Sequence, residues 1–284
     1  MAAPEMTAGK IGFVKKYSDV MIAVGIVTIV VMMIIPLPTI LLDLLLCMNI
    51  TLALVVVMSA IYNVEALDLS VFPSLLLITT LFRLALNVSS TRLILLEGYA
   101  GEVISSFGNF VVGGNAVVGF IIFVILIIIQ FLVITKGAER VAEVSARFTL
   151  DAMPGKQMSI DADLNAGIID QDTARERRID VTREADFYGA MDGASKFVKG
   201  DAVAGLLIMV INLVGGIIIG VFNFDLSVAQ AASIFAILTI GDGLVAQIPS
   251  LLLSVAAAII VTRQSSSKQE MGQQVVTDLF SRPK

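Results

Sequence analysis

Long runs of apolar residues constrain this chain more than any other feature of its sequence. A helix needs roughly 20 consecutive apolar residues to cross the hydrocarbon core of a bilayer. Six segments approach or exceed that length, near residues 20–36, 39–62, 74–96, 115–135, 201–222 and 243–262. The chain is 57% hydrophobic, above the roughly 45–50% of soluble domains. The sequence therefore predicts an all-α polytopic membrane protein with about six transmembrane helices.

The first apolar run has one feature of a secretory signal, because Lys10, Lys15 and Lys16 precede it. However, the run from Val20 to Ile35 is long for the apolar part of a signal and ends at Pro36-Leu37-Pro38. Another apolar run follows it, where a signal would have small residues at a cleavage site. We therefore interpret it as the first membrane span.

The spans divide the chain into four parts. Residues 1–135 carry the first four spans, 136–200 a charged loop, 201–262 the last two spans and 263–284 a polar linker. In the loop, Glu139–Asp151 and Asp172–Met191 are predicted to be short helices, and Asp170 or Asp172 is available to cap the second. Pro154-Gly155 is predicted to break the chain between them.

Basic residues predict the orientation, because Lys and Arg are retained on the cytoplasmic side of a membrane. Of the 19 basic residues, 17 lie before the first span, in the charged loop or after the last span. Six crossings place these three regions on one side. The sequence thus predicts that the N-terminus, the loop and the C-terminus are cytoplasmic, and that the segments 36–38, 97–114 and 223–227 lie outside.

Polar residues within the predicted spans are costly and therefore informative. In the third span, Thr80, Arg83, Asn87 and Ser90 follow helical spacing and form one stripe that should face protein. Arg83 either pairs with a carboxylate to hold helices together or has a functional role, and the sequence leaves both open. Asp43 in the second span is expected to tie its helix to another by hydrogen bonds.

The segment from Ser227 to Thr262 is too long for one simple span and too short for two. We predict a re-entrant or interfacial helix near 228–240, a break at Gly241-Asp242-Gly243 and Pro249, and then a spanning helix. Asp242 would line a cavity in that arrangement. The alternative is a loop at the outer surface, with Asp242 in water.

Asp201 stands where the charged loop meets the fifth span. Its simplest interpretation is a carboxylate at a helix start, favoured by the helix dipole. Alternatively, it is an ion-responsive acid that pairs with Lys196 or Lys199. The chain has no histidine, so proton handling would fall on carboxylates. The net charge of −5 and the lack of a basic face argue against a nucleic-acid partner.

Four stretches, in order along the chain, resemble the signatures of the type III export-gate family, FHIPEP. They read FRLALNVSSTR at 82–92, RVAEVSARFTLDAMPGKQMSIDAD at 140–163, ADFYGAMDGASKFV at 185–198 and GDGLVAQIP at 241–249. The resemblance implies a ring-forming subunit, nonameric in the family, in the bacterial inner membrane at the base of a flagellum or injectisome. It implies a role in protein transport rather than an enzyme, with protons or sodium ions as coupling ions and no other cofactor.

The resemblance also implies functional residues, by match to charged positions of the family motifs. Lys196, Asp201 and Asp242 are candidates for ion coupling, and Arg140, Arg147 and Asp151 are loop charges needed for export. Arg83 and Asn87 form the intramembrane polar stripe. Implied partners are the lipid bilayer, other copies of the chain, other membrane proteins of the export apparatus and exported substrates. The family continues with further helices and a soluble domain that docks substrates, so we expect this chain to be truncated.

Two other functions remain open at this stage. A self-contained ion channel or secondary transporter would also contain buried Asp and Arg side chains beside a broken helix. A passive structural ring would need no coupling residues at all. The motifs do not distinguish a flagellar from a virulence system, or proton from sodium coupling.

Overall fold

The computed structural model describes residues 5–63, 66–113, 116–263 and 280, and the regular elements in those ranges are all helical. They are α1 (Glu5–Ile34), α2 (Thr39–Tyr62), a 3-10 turn (Ala66–Leu69), α3 (Phe72–Glu97), α4 (Glu102–Val112), α5 (Ala116–Ile129), a π-helical segment (Gln130–Thr135), α6 (Lys136–Asn165), α7 (Gln171–Phe222) and α8 (Val228–Thr262). The predicted linker 263–284, apart from Arg263 and Phe280, lies outside the described residues.

Within the described ranges, five helices are long and apolar enough to cross a membrane: α2, α3, the run Val118–Asn165, α7 and α8. The predicted first span corresponds to Val20–Ile34 of α1, which is shorter than a full crossing. The prediction of an all-helical multispan protein is confirmed, with five helices meeting the criterion where six spans were expected.

Helix α3 lies at the centre of the bundle and packs against α1, α2, α7 and α8. One apolar cluster joins Phe72 and Leu76 of α3 to Met191 of α7 and Leu253 of α8. The opposite faces of the peripheral helices expose large apolar side chains, such as Ile40 and Leu207. Such faces suit lipid rather than water, because lipid tails are as apolar as the side chains themselves.

The predicted break in the last span is wrong, because α8 runs without interruption from Val228 through Pro249 to Thr262. A capping box of Ser227 and Gln230 starts it. The glycines at 241 and 243 serve close packing instead. A Cβ on Gly241 would collide with the carbonyl oxygen of Ile104 in α4, and a Cβ on Gly243 would collide with Phe123 of α5.

The segment 97–114, predicted as an outer connection, contains α4, which packs closely on α8. Its N-terminus is held by Asp43 of α2, whose carboxylate accepts hydrogen bonds from the backbone N–H groups of Glu102 (2.9 Å) and Val103 (3.1 Å). The expectation that Asp43 ties two helices together is confirmed. Gly101, at φ 102°, lets the backbone approach that carboxylate.

Two long helices form the charged loop. α6 continues through Pro154, so the predicted break at Pro154-Gly155 is wrong. The predicted helices 139–151 and 172–191 are helical, but they are parts of the longer α6 and α7. The chain turns at Gly167 (φ 70°), and Asp170 caps α7 by accepting a hydrogen bond from the Thr173 N–H (2.8 Å), as predicted. α7 then extends for 52 residues, so the predicted boundary between 200 and 201 falls inside one helix.

Ion pairs link the two helices of this hairpin, including Lys156 with Glu184 (2.5 Å) and Arg177 with Asp163 (3.3 Å). These charges are largely exposed, and such pairs contribute roughly 0–1 kcal/mol each. The hairpin's alignment therefore depends more on the packing of Ala142, Ala146 and Met191 in the apolar core.

Candidate functional site: a polar cavity between the membrane helices

The side chain of Arg83 in α3 forms an ion pair with the carboxylate of Asp201 in α7. Each side chain is only 2% exposed. Pairing is what makes such burial possible, since an isolated charge in an apolar medium costs several kcal/mol or more. The interpretation of Arg83 as the partner of a carboxylate is confirmed, and the interpretation of Asp201 as a helix-start residue is wrong, because it lies in the interior of α7.

Asp242 in α8 is also buried, with 5% exposure. Its Oδ2 accepts a hydrogen bond from the amide of Asn212 in α7 (3.1 Å). The alternative of an outer loop with Asp242 in water is therefore wrong. The sequence correctly placed Asp242 at a cavity, although the helix around it is unbroken.

A cavity of about 50 Å³ joins the two carboxylates. One water requires roughly 10–15 Å³ measured this way, so the cavity has room for water. The polar side chains that line the cavity come from α3, the π-helical segment, α7 and α8: Arg83, Asn87, Gln130, Asp201, Asp242, Gln247 and Ser250.

The π-helical segment 130–135 borders this cavity. The amide of Gln130 donates a hydrogen bond to the backbone carbonyl of Gln247 in α8 (3.4 Å), and Phe131 lines the cavity beside it. The ammonium of Lys136 lies 5.5 Å from the centre of the Phe131 ring. Single π-helical turns within α-helices occur often at functional sites, and this one connects the cavity directly to α6.

Lys196 does not reach the cavity. Its ammonium pairs with Asp192 one turn earlier on α7 (2.7 Å), and Lys199 pairs with Glu139 of α6 (2.9 Å). The predicted pairing of either lysine with Asp201 is therefore wrong, because Arg83 from another helix occupies that position. Lys199 instead joins the bases of the two hairpin helices.

The loop charges singled out from the sequence lie on the outside of α6. Arg140 and Arg147 both pair with Glu143, at 2.8 and 3.3 Å, and Asp151 is exposed. They form a charged strip on the hairpin that is separate from the cavity. The structure thus brings Arg83, Asn87, Asp201 and Asp242 together and leaves Lys196, Arg140, Arg147 and Asp151 on the hairpin.

Sequence reasoning missed Asn212, Gln130, Gln247 and Ser250. Asn212 had a detectable signal, since it is an amide within the apolar run 202–222 and was subject to the same cost argument as Asn87. Gln130 and Gln247 stand near the ends of apolar runs, where a polar residue can also face headgroups. The contact between Gln130 and Gln247 forms only in the folded bundle, so no local sequence pattern predicts it.

A bundle of apolar helices that encloses an ion pair, a second carboxylate and a water-sized cavity defines a multispan membrane protein with an intramembrane polar site. The chain belongs to the FHIPEP family, whose profile matches residues 29–284. Relatives include the flagellar biosynthesis protein FlhA of Bacillus subtilis, 59% identical over 94% of this chain, and FlhA of Salmonella typhimurium, 58% identical over 91%. The low calcium response locus protein D of Yersinia pestis is 55% identical over 94%.

The chain spans about two fifths of the length of these relatives, at 38–39% of each. No solved structure matches it.

Proposed function

We propose that this chain is the membrane portion of a type III protein export gate, which couples the ion motive force across the bacterial inner membrane to export of flagellar or virulence proteins. The family and the flagellar names of the relatives support the export context. The observation that carries the coupling is the Arg83–Asp201 ion pair, buried between α3 and α7 in the cavity that also contains Asp242.

The coupling follows from the chemistry of that pair. A coupling ion, either a proton or a sodium ion, that neutralises Asp201 leaves Arg83 as a buried charge without its partner. The resulting penalty favours a rearrangement of α3 against α7. Because α7 continues from the cavity into the hairpin, this movement reaches the hairpin charges Lys196, Arg140, Arg147 and Asp151.

The orientation belongs to the same proposal. The positive-inside distribution places the N-terminus, the hairpin and the C-terminus in the cytoplasm. The hairpin then faces exported substrates and the cytoplasmic parts of the apparatus. Substrate docking would depend on the portion of the longer relatives that this chain does not cover.

The exposed apolar faces of α2 and α7 support assembly into a ring, nonameric as the family resemblance implies, in contact with other membrane proteins of the apparatus. Copies would associate in lipid through small and apolar faces. A species that stays monomeric in mild detergent and in lipid would contradict the ring.

The coupling is tested with Asp201→Asn in the full-length protein. The substitution keeps the shape of the side chain but removes its charge, so export should fall by at least tenfold while protein level and insertion stay normal. Asp225→Asn, at an exposed position outside the cavity, is the matched control and should export normally. Wild-type export by Asp201→Asn would overturn the coupling role.

A self-contained ion channel or transporter is the second candidate, because the water-sized polar cavity between helices is also typical of such proteins. Ion flux into vesicles separates the two. A chain that carries a substantial proton or sodium current without its partners acts as a transporter, whereas a gate component should conduct only within the assembled apparatus.

A further inference from the structure

The two buried carboxylates of the cavity have different electrical surroundings. Arg83 offsets the charge of Asp201. The hydrogen-bond partner described for Asp242 is neutral, namely the amide of Asn212. The other charged groups that line the cavity are Arg83 from α3 and Asp201 from α7, and they neutralise one another. The residues that α5 and the π-helical segment present to it are neutral.

An ionised carboxylate with only neutral partners in a membrane interior is strongly disfavoured. Such groups bind a proton instead of remaining charged. Because it lacks a charged partner, Asp242 is the carboxylate of this cavity that we expect to bind a proton, whereas Asp201 can stay ionised beside Arg83.

Asn212 is placed to recognise both protonation states of Asp242. It is completely buried, its Nδ2 donates to Asp242 Oδ2 at 3.1 Å, and its Oδ1 has no hydrogen-bond partner. A carboxamide has a donor and an acceptor that exchange places by rotation. With Asp242 ionised, the NH2 group donates to it; with Asp242 protonated, the rotated amide accepts its O–H and the unpartnered oxygen becomes satisfied.

We propose that Asp242 is a proton-binding group of this cavity, separate from the ion-paired Asp201, and that Asn212 is its positioning residue, bonding to the acid and to the carboxylate in turn. A hydronium ion in the cavity transfers one proton to an Asp242 oxygen and becomes water, and the acid returns the proton to water from the same oxygen. The role of this protonation in export rests on the proposed function, whereas the protonation itself depends only on the helix bundle.

The test uses the full-length protein in lipid nanodiscs and the infrared C=O stretch of a protonated carboxylic acid. Wild type should show a buried acid band near neutral pH that disappears as pH rises. Asp242→Asn should abolish the band, and Asp201→Asn should retain it. Absence of the band in wild type, or its survival in Asp242→Asn, would overturn the assignment.

Asn212→Leu tests the positioning role. Without the amide donor that serves the ionised form, the acid band should persist at pH values where wild type has lost it, with the midpoint displaced by about one pH unit or more. Asn212→Thr keeps a hydroxyl that donates or accepts, so its acid band should depend on pH almost as in wild type.

Asn49→Leu is the control. It removes a buried amide of α2 outside the cavity, and should leave the pH dependence of the acid band unchanged. An unshifted profile in folded Asn212→Leu would reject the role, and if that variant does not fold, the Asn212→Thr profile decides.

Replacing potassium with sodium in the same infrared experiment tests which ion the carboxylate binds. If the acid band disappears at constant pH when sodium replaces potassium, sodium displaces the proton from the carboxylate, and a site dedicated to protons is ruled out. Export measured in parallel keeps the two proposals separate. A correct band pattern with normal export in Asp242→Asn would leave the proton site standing and show that export does not depend on it, whereas lost export in Asp201→Asn without any wild-type acid band would support the coupling function and reject the proton site.

Discussion

At the scale of single residues, the ion pair between Arg83 and Asp201 is the most demanding feature of the bundle. The two residues are far apart in sequence, and each is acceptable within the membrane only because of the other. Burying such a pair is often no more favourable than burying two apolar side chains, whereas breaking it is expensive. A residue pair of this kind therefore has to be explained by what it does, rather than by the stability it gives.

We expect Arg83→Met to lower the free energy of unfolding by roughly 3–5 kcal/mol, because Asp201 then lies buried and unpaired. The double variant Arg83→Met with Asp201→Leu should regain most of that loss. Unfolding by denaturant in detergent micelles measures both, and a double-mutant cycle gives the coupling. Losses that simply add in the double variant would show that the two side chains do not interact.

Asp170 should make the start of α7 sensitive to acid. The hydrogen bond from Thr173 lowers the pKa of Asp170 below its usual value of 3.8. The cap is therefore fully effective above the unfolded-state pKa and is lost as pH falls through the lower folded-state value. The protection of the Thr173 amide from hydrogen exchange, relative to the intrinsic exchange rate at each pH, should fall below about pH 4.

Asp170→Asn provides the comparison, since asparagine also caps helices but does not titrate. The protection of the Thr173 amide from exchange should then no longer depend on acid. The same acid dependence in Asp170→Asn would show that another group controls the helix start.

At the scale of elements, close helix crossings replace the broken helix that the sequence suggested. Gly108 of α4 and Gly241 of α8 each face a backbone carbonyl of the other helix, that of Ile237 and that of Ile104 respectively. This contact aligns α8 so that Asp242, next to Gly241, faces the opposite side and reaches Asn212. The glycines thus position the polar site without bending the helix.

Gly241→Ala should therefore destabilise the bundle by about 1–3 kcal/mol, the usual cost of overpacking. Gly189→Ala, at an open helical position, gains the same helix propensity without a clash and should be neutral or stabilising. Thermal unfolding of both variants in the same detergent checks the difference. Equal melting temperatures would mean that α4 does not pack on α8 as described.

The elements also show what the sequence could and could not predict. The predicted span 39–62 coincides with α2, because a run of apolar residues specifies a spanning helix by length alone. Pro154 was expected to end a helix, yet α6 continues through it, because packing against α7 overrides a local preference. Asp242 was found by its cost in the membrane and Asp201 by the resemblance to charged positions of the family, but their partners Asn212 and Arg83 depend on which helices become neighbours.

At the scale of the whole molecule, the charge distribution predicts which side of the membrane each end of the bundle faces. We expect a cysteine at Gln171, at the tip of the hairpin, to react with a membrane-impermeant reagent only from the cytoplasm. A cysteine at Asn109, on the exposed face of α4, should react only from outside. Both are introduced with Cys47→Ser, which removes the native cysteine.

Inside-out and right-side-out vesicles provide the two sides for this labelling experiment. Reaction of the Gln171 cysteine from outside would reverse the orientation and place the charged hairpin beyond the membrane. Labelling of both cysteines from one side would instead contradict the positions of α4 and the hairpin at opposite ends of the bundle.

The uninterrupted course of α7 makes it a lever arm with its pivot in the membrane. About 30 residues separate Asp201 from the tip at Gln171, or roughly 45 Å of helix. A tilt of about 5° at the pivot would move the tip by roughly 4 Å over that length. A movement at the cavity that is too small to open a passage would therefore displace the cytoplasmic tip of the hairpin by about the width of a side chain.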